Sequence, residues 1–560
     1  MKTNQVILLT FLFLFMNIQY SCIKQKISTP SPEPEKPKSF TCTLTNINGI
    51  LRAPYRDINL NPVIRLSFTD KIDTNTLSTG INFLDDKSAK VAYTYSLIEA
   101  DTVLEIRPST LNTFTKYTLC LIYKLQSKSA VGMSSNLCYA FTTQLDTTDK
   151  FPRVSDDELL DIVQKRTFKY FWDYGHPVSG MARERNSSGD IVTSGGTGFG
   201  IMAMVVAASR NYITRNEAAN KLDVMLDFMT NKCQKFHGAF PHWLNGASGV
   251  AIPFSSKDNG ADLVETSYLM QGLLTARQYF DGSNALETGI RNKINALYQG
   301  VEWSWFRKSN EQVLYWHWSA NLGWAMNMQI RGWNECLITY IMAASSPTDS
   351  IPASVYHSGW TRNGGFKNGS NYYGFKLPLG PSNGGPLFFS HYSFLGINPN
   401  QLKDQYADYW EQNLNHTLIN YTHCVVNPKK HYGYSNQCWG LTASDNNYSG
   451  YAAHEPNNDL GVISPTAALS AMPYTPEQSM RALKFFYYKL GDKMFKEQGF
   501  VDAINLNDQW FANSFLAIDQ GPIIVMIENY RTGLCWNLFM SCPEVKQGMK
   551  KCGFTSPYLN

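Results

Sequence analysis

From about residue 154 onward, the chain alternates between two kinds of helix-length segment. One kind is apolar around its whole circumference, as in TGFGIMAMVVAASRNY, and the other is amphipathic, as in TRNEAANKLDVMLDFMTNK. A helix that is apolar on every side is normally enclosed by protein, whereas an amphipathic helix turns one face to water. About eleven segments in this alternation predict two concentric rings of helices, which is the (α/α)6 toroid.

The connections between these segments are long and rich in Gly, Asn, Trp and Tyr. One of them spans residues 357–394 and reads HSGWTRNGGFKNGSNYYGFKLPLGPSNGGPLFFSHYSF. Ordered loops of this length in a compact domain are usually functional. We therefore expect the loops to build a cleft at one end of the toroid.

Residues 40–146 have a different sequence pattern. They contain short segments rich in β-branched and aromatic residues, such as VIRLSF, VAYTYSLI and KYTLCLIY, separated by turn residues. This pattern predicts a β-sandwich. The order of NPVIRLSFTDKID, TVLEIRPS and YAFTT resembles that of bacterial immunoglobulin-like modules. We expect such a module to act as a spacer or docking domain.

The first residues predict export from the cytoplasm. Lys2 precedes the apolar run VILLTFLFLFMNI, which is too short for a comfortable membrane span. Ser21 and Cys22 follow, so residues 1–22 resemble a bacterial lipoprotein signal, and residues 23–39 predict a disordered tether. We expect anchoring of an extracytoplasmic protein through a lipidated Cys22. The periplasmic side is favoured over the cell surface because no acidic run follows the Cys; plain secretion is the alternative.

Several functional classes are excluded by charge and spacing. The net charge is +4 with 17% charged residues and no basic block, which argues against nucleic acid as a partner. The eleven cysteines include no CxxC and no Cys/His set with zinc spacing, so we expect no metal site and no cofactor. The glycines of SGGTGFG do not match GxGxxG, and we interpret them as opening an inner helix. We expect a monomer.

Three carboxylates, Asp258, Asp262 and Glu265, enter an otherwise apolar stretch, KDNGADLVETSYLMQG, at spacings of four and three. On a helix these spacings predict a single stripe about 60° wide. Like charges at this spacing repel, and burial raises the pKa of at least one of them, so the cluster is costly unless it has a use. The alternative is a group of acids that caps a helix N-terminus, which accounts less well for Glu265.

Several unusual stretches occur in the same order as in a known family. They are MARERNSSGDIVTSGGTGFGIMAM, GAFPHWLN, DNGADLVETSYLMQGLL, RGWNE, YGYSNQCWGLTASD and HEPNNDLGVISPTAAL. Together they resemble the glucoamylase-like domain of bacterial β-1,2-glucanases, glycoside hydrolase family 144, over about residues 155–550. The resemblance implies an (α/α)6 domain, placed at residues 154–555, and internal cleavage of linear β-1,2-glucan with inversion.

Two other functions stay open at this point. One is hydrolysis of another glucan by the same toroid, and the other is a non-catalytic glycan-binding lipoprotein.

The resemblance also implies the site. Its acidic motif falls on Asp258, Asp262 and Glu265, and a further acid matches Glu335 in RGWNE. Glycoside hydrolysis needs one protonated carboxyl for the leaving oxygen and one carboxylate to activate water or attack carbon. We assign Glu265 as the acid and Glu335 as the base, and we expect Asp258 and Asp262 to hold sugar hydroxyls or relay a proton.

Other residues are candidates for binding the substrate, each with a structural alternative. Arg183 and Glu184 belong to a charged group with Arg185 that is also typical of an internal salt-bridge network. The three tryptophans among the candidates suit stacking on sugar rings but are also typical core residues. Glu455 is in addition a reserve catalytic acid. The full set is Arg183, Glu184, His242, Trp243, Trp324, Trp439, Glu455 and Asp459.

Overall fold

A computed structural model describes residues 39–560. The signal-like segment 1–22 and all but the last residue of the tether at 23–39 lie outside the described residues. The chain divides into two compact units, Met1–Leu145 and Asp146–Asn560.

The first unit contains two four-stranded sheets, in the orders β1-β3-β6-β5 and β2-β8-β7-β4. Both sheets contribute to one buried cluster, for example through Leu66 and Ile106 on one side and Phe83 and Leu119 on the other. A disulfide joins Cys120 on β7 to Cys138 on β8. The immunoglobulin-like character of this module stays a prediction. The elements are β1 (Cys42–Ile47), β2 (Tyr55–Ile58), β3 (Ile64–Phe68), α1 (Leu77–Gly80), β4 (Ile81–Leu84), β5 (Tyr93–Ile98), β6 (Val103–Pro108), β7 (Lys116–Leu121) and β8 (Leu137–Thr143).

The second unit is mainly helical, and short strands form in its loops. The helices are α2 (Asp156–Trp172), α3 (Ser194–Ser209), α4 (Arg215–Asn231), α5 (Leu263–Tyr279), α6 (Ala285–Gln299), α7 (Leu337–Ser345), α8 (Ala353–Val355), α9 (Tyr409–Val426), α10 (Pro465–Ser470), α11 (Pro476–Lys484), α12 (Gly491–Met494), α13 (Ala517–Arg531), α14 (Leu534–Met540) and α15 (Pro543–Lys551). The strands are β9 (Ile191–Thr193), β10 (Trp243–Asn245), β11 (Ala251–Ile252), β12 (Ala261–Asp262), β13 (His317–Trp318), β14 (Asn371–Tyr372), β15 (Phe375–Lys376), β16 (Ala443–Asn446), β17 (Gly450–Ala453), β18 (Phe495–Lys496), β19 (Gly499–Phe500), β20 (Ile504–Asn505) and β21 (Trp510–Phe511).

Burial alternates along this unit as the sequence pattern predicts. Helices α3, α5, α7 and α10 are buried almost throughout, and α13 is buried up to its last turn. Helices α2, α4, α6 and α11 bury one face only. The second unit is therefore an α/α-type helical domain, in which apolar helices are enclosed by amphipathic ones.

Glycines let the two central helices approach each other closely. A Cβ on Gly198 of α3 would lie 2.2 Å from the carbonyl oxygen of Tyr268, and one on Gly272 of α5 would lie 2.1 Å from the Gly198 carbonyl oxygen. Both distances are impossible for a real side chain, so the helices cross backbone to backbone. This contact holds the N-terminal ends of α3 and α5 side by side.

Within residues 39–560, none of the helices combines the length and the hydropathy needed to cross a bilayer.

Candidate active site

A cavity of about 440 Å³ opens where the N-terminal ends of α3, α5 and α13 meet the hairpin of β16 and β17. Three carboxylates reach it, from Glu184, Glu265 and Glu335. Its aromatic lining comes from Trp243, Phe254, Tyr268, Trp316, Phe388, Tyr392 and Tyr451. A pocket with aromatic walls and a few convergent polar groups is typical of a small-molecule or sugar site.

A second, larger groove of about 960 Å³ lies between the ends of α2, α3, α11 and α13. Its arginines are already paired, as Arg210 is with Glu528 at 2.7 Å and Arg531 with Asp157 at 2.6 Å. It contains none of the carboxylates predicted from the sequence, and we place the chemistry in the smaller cavity.

Glu265 is held at the N-terminus of a neighbouring helix. It lies in the first turn of α5, and its carboxylate accepts hydrogen bonds from the Gly195 backbone N–H at 2.9 Å and the Thr193 hydroxyl at 3.2 Å. A Cβ on Gly195 would lie 2.4 Å from the same carboxylate oxygen, so only glycine allows this approach. Gly195 is near the start of α3, where the helix dipole favours a negative charge.

Asp262 has a different role from the one the helical stripe predicts. The stripe is wrong, because α5 begins at Leu263 and Asp262 is its extended N-cap, with φ −118° and ψ 108°. The Asp262 carboxylate accepts the Glu265 backbone N–H at 2.9 Å. Because an N-cap residue has a non-helical backbone, the helix cannot include the residues that precede it. Asp258 therefore lies in the preceding loop, outside the helix.

Two histidines nevertheless bring the two aspartates together. His242 Nδ1 lies 3.1 Å from the Asp262 carboxylate, and His317 Nε2 lies 3.3 Å from that of Asp258 and 3.6 Å from that of Asp262. His317 pairs with Asp262 across the short ladder of β12 and β13. A tertiary contact thus replaces the helical stripe.

This network sets the charges in the cleft. Burial alone would lower the pKa of His242, but the carboxylates of Glu265 and Asp262 raise it to about 9. Burial would raise the pKa of Asp262, but the hydrogen bond from His242 and the charge of His317 hold it below its ordinary value. The pKa of His317 is raised in the same way, against its burial, by Asp258 and Asp262. Cationic histidines therefore neutralise the ionised Asp262 carboxylate.

The same cluster has the donor spacing of a metal site. His242, Asp258 and Asp262 each offer a ligand atom, and these atoms lie within 4.8 Å of one another. The two histidines compensate the carboxylates in the same place without an ion. The absence of a metal from the reaction stays a prediction.

Glu335 has a contrasting environment. It lies just before α7, lines the cleft and is half-buried. Burial, together with the charges of Glu265 and Asp262, raises the pKa of Glu335 to about 7, and only its own backbone N–H offsets this. Burial and Asp262 also raise the pKa of Glu265, but His242, the Gly195 N–H and the Thr193 hydroxyl act in the opposite direction. The pKa values of both carboxyls are therefore raised, but His242, the Gly195 N–H and the Thr193 hydroxyl give Glu265 groups that stabilise its anion.

Arg185 connects the cleft to a second group of acids, of which sequence reasoning missed Asp502 and Asp519. The guanidinium lies 3.0 Å from the Glu184 carboxylate and 3.1 Å from that of Asp445. The backbone N–H of Asp445 donates to the Asp502 carboxylate at 2.6 Å.

Asp502 and Asp519 form a buried carboxyl pair, and the pKa values of both are raised. Burial and the charges of Asp502 and Asp445 hold the pKa of Asp519 well above its ordinary value. Burial and Asp445 raise the pKa of Asp502 to about 7. These surroundings favour a proton on Asp519, which follows Ile518 of the cleft wall in the chain. No local spacing could reveal this pair, because 17 residues separate its members.

The predicted binding residues divide into two groups. Glu184, His242 and Trp243 line the cleft. Arg183 does not, because its guanidinium donates to the carbonyls of Tyr174 at 2.9 Å and Gly189 at 2.7 Å. The salt bridge in that charged group is made by Arg185 instead.

Four other candidates also lie outside the cleft lining. Trp439 is fully buried and donates its indole N–H to a backbone carbonyl, so it is a core residue and cannot stack on sugar. Asp459 is buried and accepts from His423 at 2.9 Å, which is a structural role. The backbone of Glu455 forms an isolated β-bridge with that of Asn458. Trp324 contributes to a separate surface cavity.

The cleft offers hydrogen-bond donors that the protein does not use. Within residues 39–560, the indole N–H of Trp243 and the hydroxyl of Tyr268 have no hydrogen-bond partner, although both atoms are buried. Buried polar groups are normally paired. Sugar hydroxyls would satisfy both groups, and the flat aromatic walls suit the C–H faces of sugar rings.

Two carboxyls in one cavity with different electrostatic surroundings can perform general acid and general base catalysis. Aromatic walls with unused polar groups suit a sugar between them. The α/α helical domain and this pair of acids together define the class of α/α-type glycoside hydrolases.

Comparisons with known proteins agree with this class. The family model described as "Putative glucoamylase" matches residues 327–543. A solved endo-β-1,2-glucanase from Chitinophaga pinensis is 53% identical and covers 72% of this chain and 100% of its own, with a TM-score of 0.71. A solved β-1,2-glucanase from Parabacteroides distasonis is 36% identical and covers 92% of this chain and 74% of its own, with a TM-score of 0.70.

A curated relative, also from Parabacteroides distasonis, is an exo β-1,2-glucooligosaccharide sophorohydrolase that acts at the non-reducing end. It is 44% identical over 420 residues, or 71% of this chain, and the chain spans 58% of that relative's length. The chain belongs to the bacterial β-1,2-glucanase family, glycoside hydrolase family 144, with its glucoamylase-like domain.

Proposed function

We propose that this protein hydrolyses linear β-1,2-glucan to β-1,2-linked oligosaccharides. The observation that carries the proposal is the pair formed by Glu265 and Glu335, two carboxyls with different electrostatic surroundings in one aromatic-lined cavity. The substrate follows from the relatives, since those named above act on β-1,2-linked glucans. We further propose that the helices close as six pairs, the (α/α)6 toroid.

The environments favour an assignment of roles opposite to the one made from the sequence. Glu335, with a pKa of about 7, is the proton donor to the glycosidic oxygen. Glu265, which the Gly195 N–H and His242 favour as an anion, is the base. A donor must carry its proton at working pH, whereas a base must not.

The proposed reaction is a single displacement. Glu335 gives its proton to the leaving glycosidic oxygen as the bond from that oxygen to the anomeric carbon breaks. Water forms the new bond to that carbon from the opposite face, and Glu265 takes the proton that the water loses. The new reducing end has the inverted configuration, and one proton passes from Glu265 back to Glu335 through solvent before the next turnover.

We propose internal cleavage rather than release of sophorose from one end. The endo-acting relative from Chitinophaga pinensis is covered along its whole length, whereas the chain spans 58% of the exo-acting relative. Early products separate the two modes: internal cleavage yields a ladder of oligosaccharides, and end-wise cleavage yields sophorose from the first minutes.

One experiment tests substrate and stereochemistry together. The full chain is incubated with linear β-1,2-glucan, β-1,3-glucan and starch in parallel, and proton NMR follows the anomeric signals of the new reducing ends. We expect β-1,2-glucan to be cleaved and the α-anomer to appear first. Turnover of starch alone would overturn the substrate, and binding without turnover would favour the glycan-binding lipoprotein.

The cellular placement is proposed on the sequence alone. We propose that Cys22 is lipidated, that the protein is an extracytoplasmic monomer facing the periplasm, and that residues 40–146 form an immunoglobulin-like spacer. Metabolic labelling with a fatty acid tests the anchor, since a Cys22→Ser variant should lose the label and leave the membrane fraction. Unchanged labelling of that variant would contradict it.

A further inference from the structure

A second aromatic surface lies outside the cleft. Trp305 keeps 41% of its surface exposed, and Trp324 is half-buried beside it. The two indoles border a shallow cavity of about 310 Å³ together with Ser304, Ser309 and Asn310. Single exposed aromatic residues are normal on soluble proteins, whereas neighbouring exposed rings that form a patch can mark a binding site.

Packing fixes both indoles from behind. The Trp305 ring stacks on the His237 imidazole at 3.8 Å between centroids and 15° between planes. Glu302 holds that imidazole at 2.8 Å. The Trp324 ring packs edge-on against Tyr315 at 5.6 Å. The two indoles lie 6.5 Å apart with planes 29° from parallel, so they present one preformed aromatic surface.

The polar rim of this surface is also unused. Within the described residues, no hydrogen bond forms to the side chains of Ser309 and Asn310. Their loop is nonetheless held, because the Arg307 guanidinium donates to the Asn310 carbonyl at 2.8 Å. Lys308, Ser309 and Asn310 have φ values of 42°, 63° and 66°, a left-handed run that is costly for residues with side chains. A costly loop that displays free polar groups beside two indoles suits a hydroxylated ligand.

An aromatic path connects this surface to the cleft. Trp316 lines the cleft, and Trp318 follows two residues later along the extended chain, about 7 Å away by the rise of a strand. The Trp318 ring meets the Trp305 ring edge-on at 6.0 Å. The surface thus begins within the length of a few sugar units from the cleft, on the side of β13.

We propose that Trp305 and Trp324 form a second glucan-binding site, which holds a distal part of the same chain that occupies the cleft. The identity of the glucan rests on the proposed function. The C–H face of a glucose ring stacks on each indole, and its hydroxyls bond to the side chains of Ser309 and Asn310. The site raises affinity for long chains by a linked second contact, without any part in the chemistry.

The test compares long and short substrates in the full chain. The variants are Trp305→Ala and the double variant Trp305→Ala/Trp324→Ala, with Tyr530→Ala as a matched exposed aromatic control on α13. We expect the double variant to bind long β-1,2-glucan about tenfold more weakly in affinity gel electrophoresis, with KM raised to match and kcat unchanged. The kcat/KM for a tetrasaccharide should equal that of the wild type.

Three outcomes decide the proposal. Equal retention of the wild type and the variants by long glucan would overturn it. Equal losses on long and short substrates would overturn it too, because they would assign the indoles to folding or to the cleft. If the wild type does not cleave β-1,2-glucan but another glucan retains it in a tryptophan-dependent manner, the site stands and the proposed function falls. Trp305→Ala alone covers the case in which the double variant does not fold.

Discussion

The backbone N–H of Gly195 donates a 2.9 Å hydrogen bond to the carboxylate of Glu265, and a Cβ on that glycine would lie 2.4 Å from the same oxygen. The start of one buried helix thereby stabilises a negative charge on the first turn of its neighbour. Glu335 shares the cavity, and within residues 39–560 its carboxyl receives no comparable hydrogen bond from another residue. This difference underlies the proposed roles of Glu265 as base and Glu335 as acid.

Replacing Glu335 by Gln tests the donor. We expect kcat on β-1,2-glucan to fall by about 10²–10⁴-fold, because the leaving oxygen loses its proton source. Binding of the substrate, measured by calorimetry, should change little. Glu497→Gln, at an exposed position, is the control. A Glu335→Gln variant with wild-type kcat would remove Glu335 from the chemistry.

Replacing His242 by Gln tests which carboxyl is the base. The cation of His242 lowers the pKa of Glu265, so its removal raises that pKa. If Glu265 is the base, the acidic limb of the profile of kcat/KM against pH moves to higher pH. If Glu265 is the donor, the alkaline limb moves instead. In the wild type we expect the alkaline limb near pH 7, where Glu335 loses its proton. His357→Gln, outside the cleft, should leave both limbs in place.

Replacing Gly195 by Ala tests the contact between the helices. The added methyl group would lie 2.4 Å from the Glu265 carboxylate and 3.0 Å from the Tyr268 ring, so Glu265 must move. We expect kcat to fall by about 100-fold from misplacement of the base.

Gly289→Ala is the matched control for that change, since a Cβ there meets nothing within 4 Å. It should leave kcat unchanged and stabilise α6 by about 1 kcal/mol, seen as a higher Tm. A Gly195→Ala enzyme with full activity would contradict the close contact.

Replacing Asp502 by Asn tests the buried carboxyl pair through stability. A carboxyl whose pKa rises on folding, here from 3.8 to about 7, stabilises the native state below its ordinary pKa. That contribution is lost as pH rises towards 7. Asn does not titrate, so the variant does not lose this contribution. The free energy of unfolding of the variant minus that of the wild type should therefore increase by on the order of 2 kcal/mol from about pH 4 to about pH 8.

Thermal unfolding by calorimetry at both pH values measures this difference, with Asp86→Asn at an exposed turn as the control. A pH-independent difference between Asp502→Asn and the wild type would show that Asp502 titrates normally.

The sequence predicted the parts of this protein that depend on neighbours along the chain. Alternation of fully apolar and amphipathic segments reports burial one helix at a time, so the α/α class followed from it. The spacing of Asp262 and Glu265 placed both acids at the start of α5, because an N-cap and the first turn lie close together in any helix. The glycines of SGGTGFG were correctly interpreted as the opening of an inner helix.

The tertiary structure decided what depends on segments far apart. Asp258 joins the other acids through His317, about sixty residues later, and not through a helical stripe. The sequence places Asp502 and Asp519 in unrelated segments, yet they form a buried pair in which the pKa values of both carboxyls are raised. Trp439 was predicted to stack on sugar but lies in the core. Even the proposed roles of Glu265 and Glu335 rest on which donors pack beside each carboxyl. Local periodicity follows directly from the order of residues in the sequence. Desolvation and hydrogen bonding between distant segments arise only after the chain has packed.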